Sequence, residues 1–225
     1  MNTIAFMLTA HSLEQHLKSQ LPSYAVRDFE EVLAGRNSVG IMGSAPNEFR
    51  GIIAVWIYYR CLAGECDAAF YRDALSAAWE HDHEMILAAV SNRRMLRRMF
   101  RWAEFPIPEH SQTNIDIWRG TRGALLHRAR QGISWTADRD VACWFAMRHP
   151  HPERKPLVLK ATIPKIELLD PLNGRDEYEV ICFNAATANV DGDPEEWRLA
   201  YQRREDAKNT AQRLALSRAV ARLSK

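Results

Sequence analysis

Cysteine is scarce in this chain and poorly placed for metal binding. Cys61, Cys66, Cys143 and Cys182 form no CxxC pair, and no histidine cluster completes a zinc pattern, so no metal site is expected. His81, His83, His149 and His151 have no acid or cysteine at ligand spacing and read as surface residues. Long apolar runs are lacking as well. Residues 51–59 are apolar, but Arg50 and Arg60 bracket them and they fall far short of a bilayer span. Residues 4–10 are too short for a secretory core and lack a basic flank, so a cytoplasmic protein with reduced cysteines is expected. Neither sign of charge dominates: 30 Lys and Arg face 28 Asp and Glu, a net charge of +2 that by itself points to no partner. Internal repeats and low-complexity tracts are also absent.

With 47% hydrophobic residues in 225, the chain can bury a substantial core, as one large domain or a domain with an appendage. Three regions separate by texture: a helical region over 1–104, a strand-rich core over 105–190 and a basic C-terminal helix over 191–225. Ser12-Leu13-Glu14-Gln15 has the shape of a capping box and predicts a short helix ending near Pro22. Further helices are predicted over 25–34, 48–63, 67–80 and 82–104, with a Gly-, Ser- and Asn-rich loop over 35–47. Ile52, Ile53, Val55, Trp56, Ile57 and Tyr59 make the middle helix apolar nearly all round, the pattern of a helix buried in a bundle.

Beyond Phe105-Pro106-Ile107-Pro108 the pattern turns to β-type runs divided by turn residues. Strands are predicted over 114–118, 132–136, 156–163, 166–169 and 178–183, with a weak one over 186–190. Helices are predicted over 138–147 and from Pro194 to about 223.

Three segments carry residue types suited to chemistry at a sugar phosphate. Ile117-Trp118-Arg119-Gly120 ends an apolar run in an arginine, whose planar fork matches phosphate, and in a glycine that permits close approach of a ligand. Ser134-Trp135-Thr136 offers a hydroxyl pair able to hold a carboxylate in place. Glu177-Tyr178-Glu179 lies in a predicted strand, where both carboxylates would share one face and repel each other, an arrangement that marks functional sites.

In this order the segments resemble the Arg, Ser-x-Thr, Glu-x-Glu signature of the mono-ADP-ribosyltransferases, which cleave NAD and transfer ADP-ribose. The resemblance covers residues 115 to about 183. It implies an α+β fold, a split β-sandwich of two small, mostly antiparallel sheets splayed around an NAD cleft. A helical region precedes that core and a C-terminal helix follows it.

It also implies site roles. Arg119, Gly120, Ser134 and Thr136 would bind NAD as co-substrate. Ser134 would orient Glu179, the catalytic carboxylate, and Glu177 would activate the acceptor. Trp135 stands where the family carries a small residue, which loosens the assignment of Thr136. The acceptor implied is a macromolecule, a protein ahead of a nucleic acid, and Glu at the earlier position points weakly to arginine side chains. Bacterial and prophage proteins of this kind suit a toxin or host-modifying enzyme. Two other readings stay open: an NAD glycohydrolase using the same cleft, and an inert nucleic-acid- or protein-binding module.

Other features keep two readings each. The loop over 171–176 would face the target in the family, and its Arg175 suits either a substrate contact or an ion pair. Arg93, Arg94, Arg97, Arg98 and Arg101 recur at helical spacing, as a phosphate groove or as the solvated face of an amphipathic helix. Lys208, Arg213, Arg218, Arg222 and Lys225 admit the same pair.

Overall fold

A computed structural model describes residues 3–90, 92–172 and 177–223, and the chain divides into two compact units. Met1–Pro106 with Pro171–Asn173 form the first, and Ile107–Asp170 with Gly174–Lys225 form the second. The C-terminal helix thus belongs to the same unit as the strands.

The first unit contains α1 (Thr3–Gln20), α2 (Ser23–Leu33), α3 (Gly40–Ser44), α4 (Asn47–Leu62), α5 (Ala68–Ala89) and α6 (Arg93–Trp102). The all-round apolar helix α4 is buried, with Ile53, Trp56 and Ile57 fully enclosed and Trp56 stacked on Phe29 at 4.7 Å. Gly51 lets α4 lie against α5, since a Cβ there would collide with the Met85 carbonyl. Arg60 is buried yet satisfied: Nη1 and Nη2 donate to the Val32 and Leu33 carbonyls at the end of α2 (2.7 and 3.0 Å), and Nε donates to Glu65 at 2.8 Å. A cation capping the last carbonyls of a helix is favourable both as a hydrogen bond and toward the helix dipole.

Several boundaries differ from the sequence expectation. Ser12 lies inside α1 rather than at its start, and α3 occupies part of the predicted 35–47 loop. Helix α5 runs through His81 and Asp82 to Ala89, and the next helix begins at Arg93, where the Asn92 side chain accepts from Met95 N at 2.8 Å. Asp67 caps the start of α5 in the same way, accepting from Phe70 N at 2.8 Å. The reduced state expected of all four cysteines holds only for Cys143 and Cys182, because Cys61 and Cys66 form a disulfide. Gly64, at φ +88°, reverses the chain between them and brings their Cα atoms to 4.5 Å.

The second unit contains β1 (Asn114–Arg122), α7 (Leu126–Arg130), β2 (Ser134–Thr136), α8 (Arg139–Met147), β3 (Pro156–Pro164), β4 (Leu168–Leu169), β5 (Glu179–Cys182), β6 (Asn189–Val190) and α9 (Pro194–Leu223). Its strands form one six-stranded antiparallel sheet in the order β4-β5-β2-β1-β3-β6. The architecture is α+β, but the two separate sheets of the expectation are replaced by one sheet with a seam. β1 pairs with β3 along its whole length, from Asn114↔Pro164 to Arg122↔Pro156, whereas it meets β2 only at Trp118↔Thr136. Backbone pairing carries across that single bridge, which makes the ladder continuous.

One sheet face is buried by Ile115, Ile117, Trp135, Leu159, Ala161, Ile163, Val180 and Cys182. The other carries α8 and the start of α9, through Ala142, Cys143, Ala146, Val158, Trp197 and Ala200. Asp138 caps α8, accepting from Asp140 N and Val141 N. Asp191 ties three elements together: it accepts from Trp118 Nε1 (3.1 Å) and Arg139 Nε (2.7 Å), and its carbonyl accepts from Trp197 Nε1 (2.7 Å). Gly120 is corrected here. The space its missing side chain leaves is filled not by a ligand but by α8, because a Cβ would collide with the Ala142 carbonyl. Among the described residues, no helix is long and apolar enough to cross a membrane.

Two outcomes follow from this packing. Gly120→Ala is expected to lower unfolding stability by about 1–3 kcal/mol, because backbone cannot yield as a flexible side chain does; an unchanged urea midpoint would refute the contact. Burial pushes the Cys143 thiol up to about 11, and Cys143 and Cys182 are both fully enclosed. Iodoacetamide at mildly alkaline pH should therefore spare both in the native protein and alkylate both after unfolding. Native-state labelling would contradict the packing.

Candidate active site

Antiparallel pairing of β2 with β5 sets Thr136 opposite Glu179, Trp135 opposite Val180 and Ser134 opposite Ile181. Alternation then sends Trp135 and Val180 into the core and puts Ser134, Thr136 and Glu179 on the other face. There the Ser134 hydroxyl donates to Glu179 Oε1 at 2.5 Å. Both residues are half-buried, so water competes only partly for this charge-assisted bond.

Arg119 reaches the same place by a different route. Its register opposite Leu159 puts its Cα on the Ile117 side of β1, away from the hydroxyl face. The guanidinium then crosses Gly132, where any Cβ would collide with it, and Nη1 donates to the Ser134 carbonyl. The arginine, the serine and the glutamate of the three segments therefore converge on Ser134. Gly132 is the residue that sequence reasoning overlooked. Its only signal was a glycine opening a predicted strand.

Thr136 is only 5% exposed. Its hydroxyl donates to the Glu177 carbonyl at 2.6 Å and accepts from Asp138 N at 3.1 Å. With its hydroxyl turned inward, Thr136 fastens the Glu177 turn to the start of α8, which corrects its expected place against NAD.

Glu177 and Glu179 do not share a strand face, contrary to the period-2 expectation. Strand β5 begins at Glu179, Glu177 lies in a turn, and Tyr178 between them adopts φ +46°. A non-glycine residue in the left-handed region breaks the alternation and turns the Glu177 carboxylate elsewhere. It lines a cleft of about 580 Å³ together with Trp144, Arg204, Ala207, Lys208, Ala211 and Gln212. Arg148 lies over the Trp144 and Phe145 rings at 4.8 and 4.5 Å. Burial lowers the pKa of Arg148 from its ordinary value, while the charge of Glu177 acts in the opposite direction.

In the helical unit, Arg98 and Arg101 border a groove of about 480 Å³ with Tyr58, Ala68, Trp102 and Glu104. Arg175, Lys225 and the side chains of Arg218 and Arg222 lie outside the described residues. Among the described residues, no group of three His, Cys, Asp or Glu side chains could hold a metal ion.

No protein-family model, curated protein or solved structure matches this chain. The donor set of the site suits a dinucleotide in kind: a guanidinium for phosphate, and a carboxylate fixed by a hydroxyl for a sugar carbon that gains positive charge.

Thr136 gives the test of how the site is built. Thr136→Val should destabilise the fold by about 1–3 kcal/mol by leaving buried polar groups unpaired, while Thr136→Ser retains the bonds and most of the stability. A larger loss for Thr136→Ser than for Thr136→Val in thermal unfolding would assign the effect to the methyl group instead.

Proposed function

We propose that this chain is an NAD-dependent mono-ADP-ribosyltransferase that modifies a macromolecular acceptor. The observation that carries the proposal is the Ser134–Glu179 hydrogen bond, with the Arg119 guanidinium held on the carbonyl of the same serine. Three short segments far apart in sequence meet at one residue, and each contributes the group that the chemistry needs.

Bound NAD would supply ADP-ribose joined to a good leaving group, nicotinamide. The rest falls to the protein. Arg119 binds the phosphates and fixes their position relative to β2. Ser134 holds the Glu179 carboxylate in one rotamer, so the negative charge is in place before the reaction begins. As the bond between C1′ of the ribose and the nicotinamide nitrogen breaks, Glu179 faces the positive charge that grows on the sugar and stabilises the oxocarbenium-like transition state. Nicotinamide leaves with the bonding pair, the acceptor atom bonds to C1′, and the acceptor's proton passes to a base, a role we assign to Glu177, whose carbonyl Thr136 holds beside β2.

Glu179→Gln separates charge from shape. The amide oxygen can still accept from Ser134, so fold and NAD affinity should persist, while nicotinamide release should fall about 10²–10³-fold through lost electrostatic stabilisation. Measured turnover near the wild-type rate would remove Glu179 from the chemistry.

A further inference from the structure

We infer that the cleft beside Glu177 is the acceptor subsite and that it takes a single-stranded nucleic acid. For the role of Glu177 the inference rests on the transferase reading above. The cleft belongs to one stripe of α9. Near the start of that helix, Trp197 and Ala200 pack against α8 and β3. One turn further on, the same stripe presents Arg204, then Ala207, Lys208 and Ala211, at the i, i+3, i+4, i+7 spacing of a single helix face. The stripe therefore continues toward Trp144 of α8, but the alanines leave space where the earlier residues filled it.

The wall chemistry selects among acceptors. Arg204 and Lys208 on α9, with Arg148 beside Trp144, outnumber Glu177 and Glu205, whose Oε1 accepts from the Trp144 indole N–H at 2.7 Å, so the rim carries a net positive charge. An arginine side chain arriving as acceptor would meet like charge on all three cations. An acidic peptide would suit the cations but leaves the Trp144 indole without a flat ring to stack on. A nucleotide offers phosphate for Arg204 and Lys208, a flat ring for the Trp144 indole, one face of which already carries Arg148, and an exocyclic amine or ring N–H for Glu177 and Gln212. Its sequence-tolerant stacking also needs unpaired bases, which points to single strands over a duplex.

With a base as acceptor the transfer balances. The C1′–nicotinamide bond breaks, neutral nicotinamide departs with the electron pair, a base nitrogen bonds to C1′, and the proton from that nitrogen goes to Glu177. The direction reverses the protein acceptor expected from sequence, and it does so on cleft charge that only the fold assembles.

The experiment is fluorescence anisotropy of the 225-residue chain with a labelled single-stranded oligonucleotide of mixed sequence, as RNA and as DNA, over a salt series and without NAD. Lys208→Glu and Trp144→Leu should each weaken binding about tenfold or more, and Lys208→Glu should lower the salt slope by about one phosphate contact. Arg98→Glu, on the separate groove of α6, serves as the control for general basic attraction and should change binding little. Loss with Arg98→Glu but not with the cleft variants would overturn the inference, as would displacement of the oligonucleotide by saturating NAD, which would make the cleft part of the dinucleotide site. Labelled NAD with the same oligonucleotides and with casein or polyarginine then reads the acceptor. Label on nucleic acid supports the inference, and label on polypeptide alone overturns it. Cleft-dependent oligonucleotide binding without any nicotinamide release would overturn the transferase reading while upholding the ligand class of the cleft.

Discussion

The single pairing of Trp118 with Thr136 is the joint on which the candidate site depends. On one side of it, β1 is locked to β3 over its full length; on the other, β2 is locked to β5. Had β1 and β2 paired along their length, the sheet would lie closed where Arg119 now turns across Gly132. Had they not paired at all, nothing in the ladder would hold Arg119 in register with Ser134. One bridge keeps the two halves in alignment, and beside it the Arg119 guanidinium reaches the Ser134 carbonyl while the Ser134 hydroxyl holds Glu179.

Support for that opening comes from residues whose polar atoms are turned inward. Gly120 admits the α8 backbone against β1, and Asp138 fixes where α8 begins. Thr136 links that helix start to the Glu177 carbonyl, so the turn carrying one acid is bound to the helix that carries Trp144. Asp191 then ties Trp118, Arg139 and Trp197 to one another. These groups sit behind the convergent triplet and give it rigid elements on which to stand. That requirement matters more for chemistry than for folding, because small displacements at a reacting centre cost far more than they do on a surface.

Strand β3 and α8 were legible because their apolar periods of 2 and 3.6 are strong, whereas the long C-terminal helix has almost no apolar period and was legible from its helix-forming residues after Pro194. The convergence of Arg119, Ser134 and Glu179 was legible only as an ordered set of residue types; the register that joins them is a property of pairing, which no local pattern encodes. Other features were decided by tertiary partners. The capping-box pattern at Ser12 is overridden within a longer α1, and the turn residues of 35–47 still permit α3. Gly120 and Gly132 look alike in sequence, yet one receives a helix and the other a guanidinium. Cys61 and Cys66 lack a recognised motif and are joined because a helix end and Gly64 fold the chain back between them. The left-handed conformation of Tyr178 was the least legible, since nothing in Glu-Tyr-Glu distinguishes a strand from a strand preceded by a reversal.

That reversal gives the two glutamates separate environments. A non-glycine residue held at positive φ costs of order 1–3 kcal/mol and persists only where its surroundings impose it. Here Thr136 holds the carbonyl before Tyr178, and the β2–β5 ladder holds the residue after it. Glu179 is left on the strand, gripped by a hydroxyl, in a setting that fixes a negative charge in one position. Glu177 is left in a turn, lining a cleft with Arg204, Lys208 and Trp144. A continuous strand would have set the two carboxylates side by side, where each would raise the cost of ionising the other. Splitting them at Tyr178 removes that conflict and gives the two acids surroundings different enough for the separate roles proposed above, one holding a fixed charge and the other taking a proton.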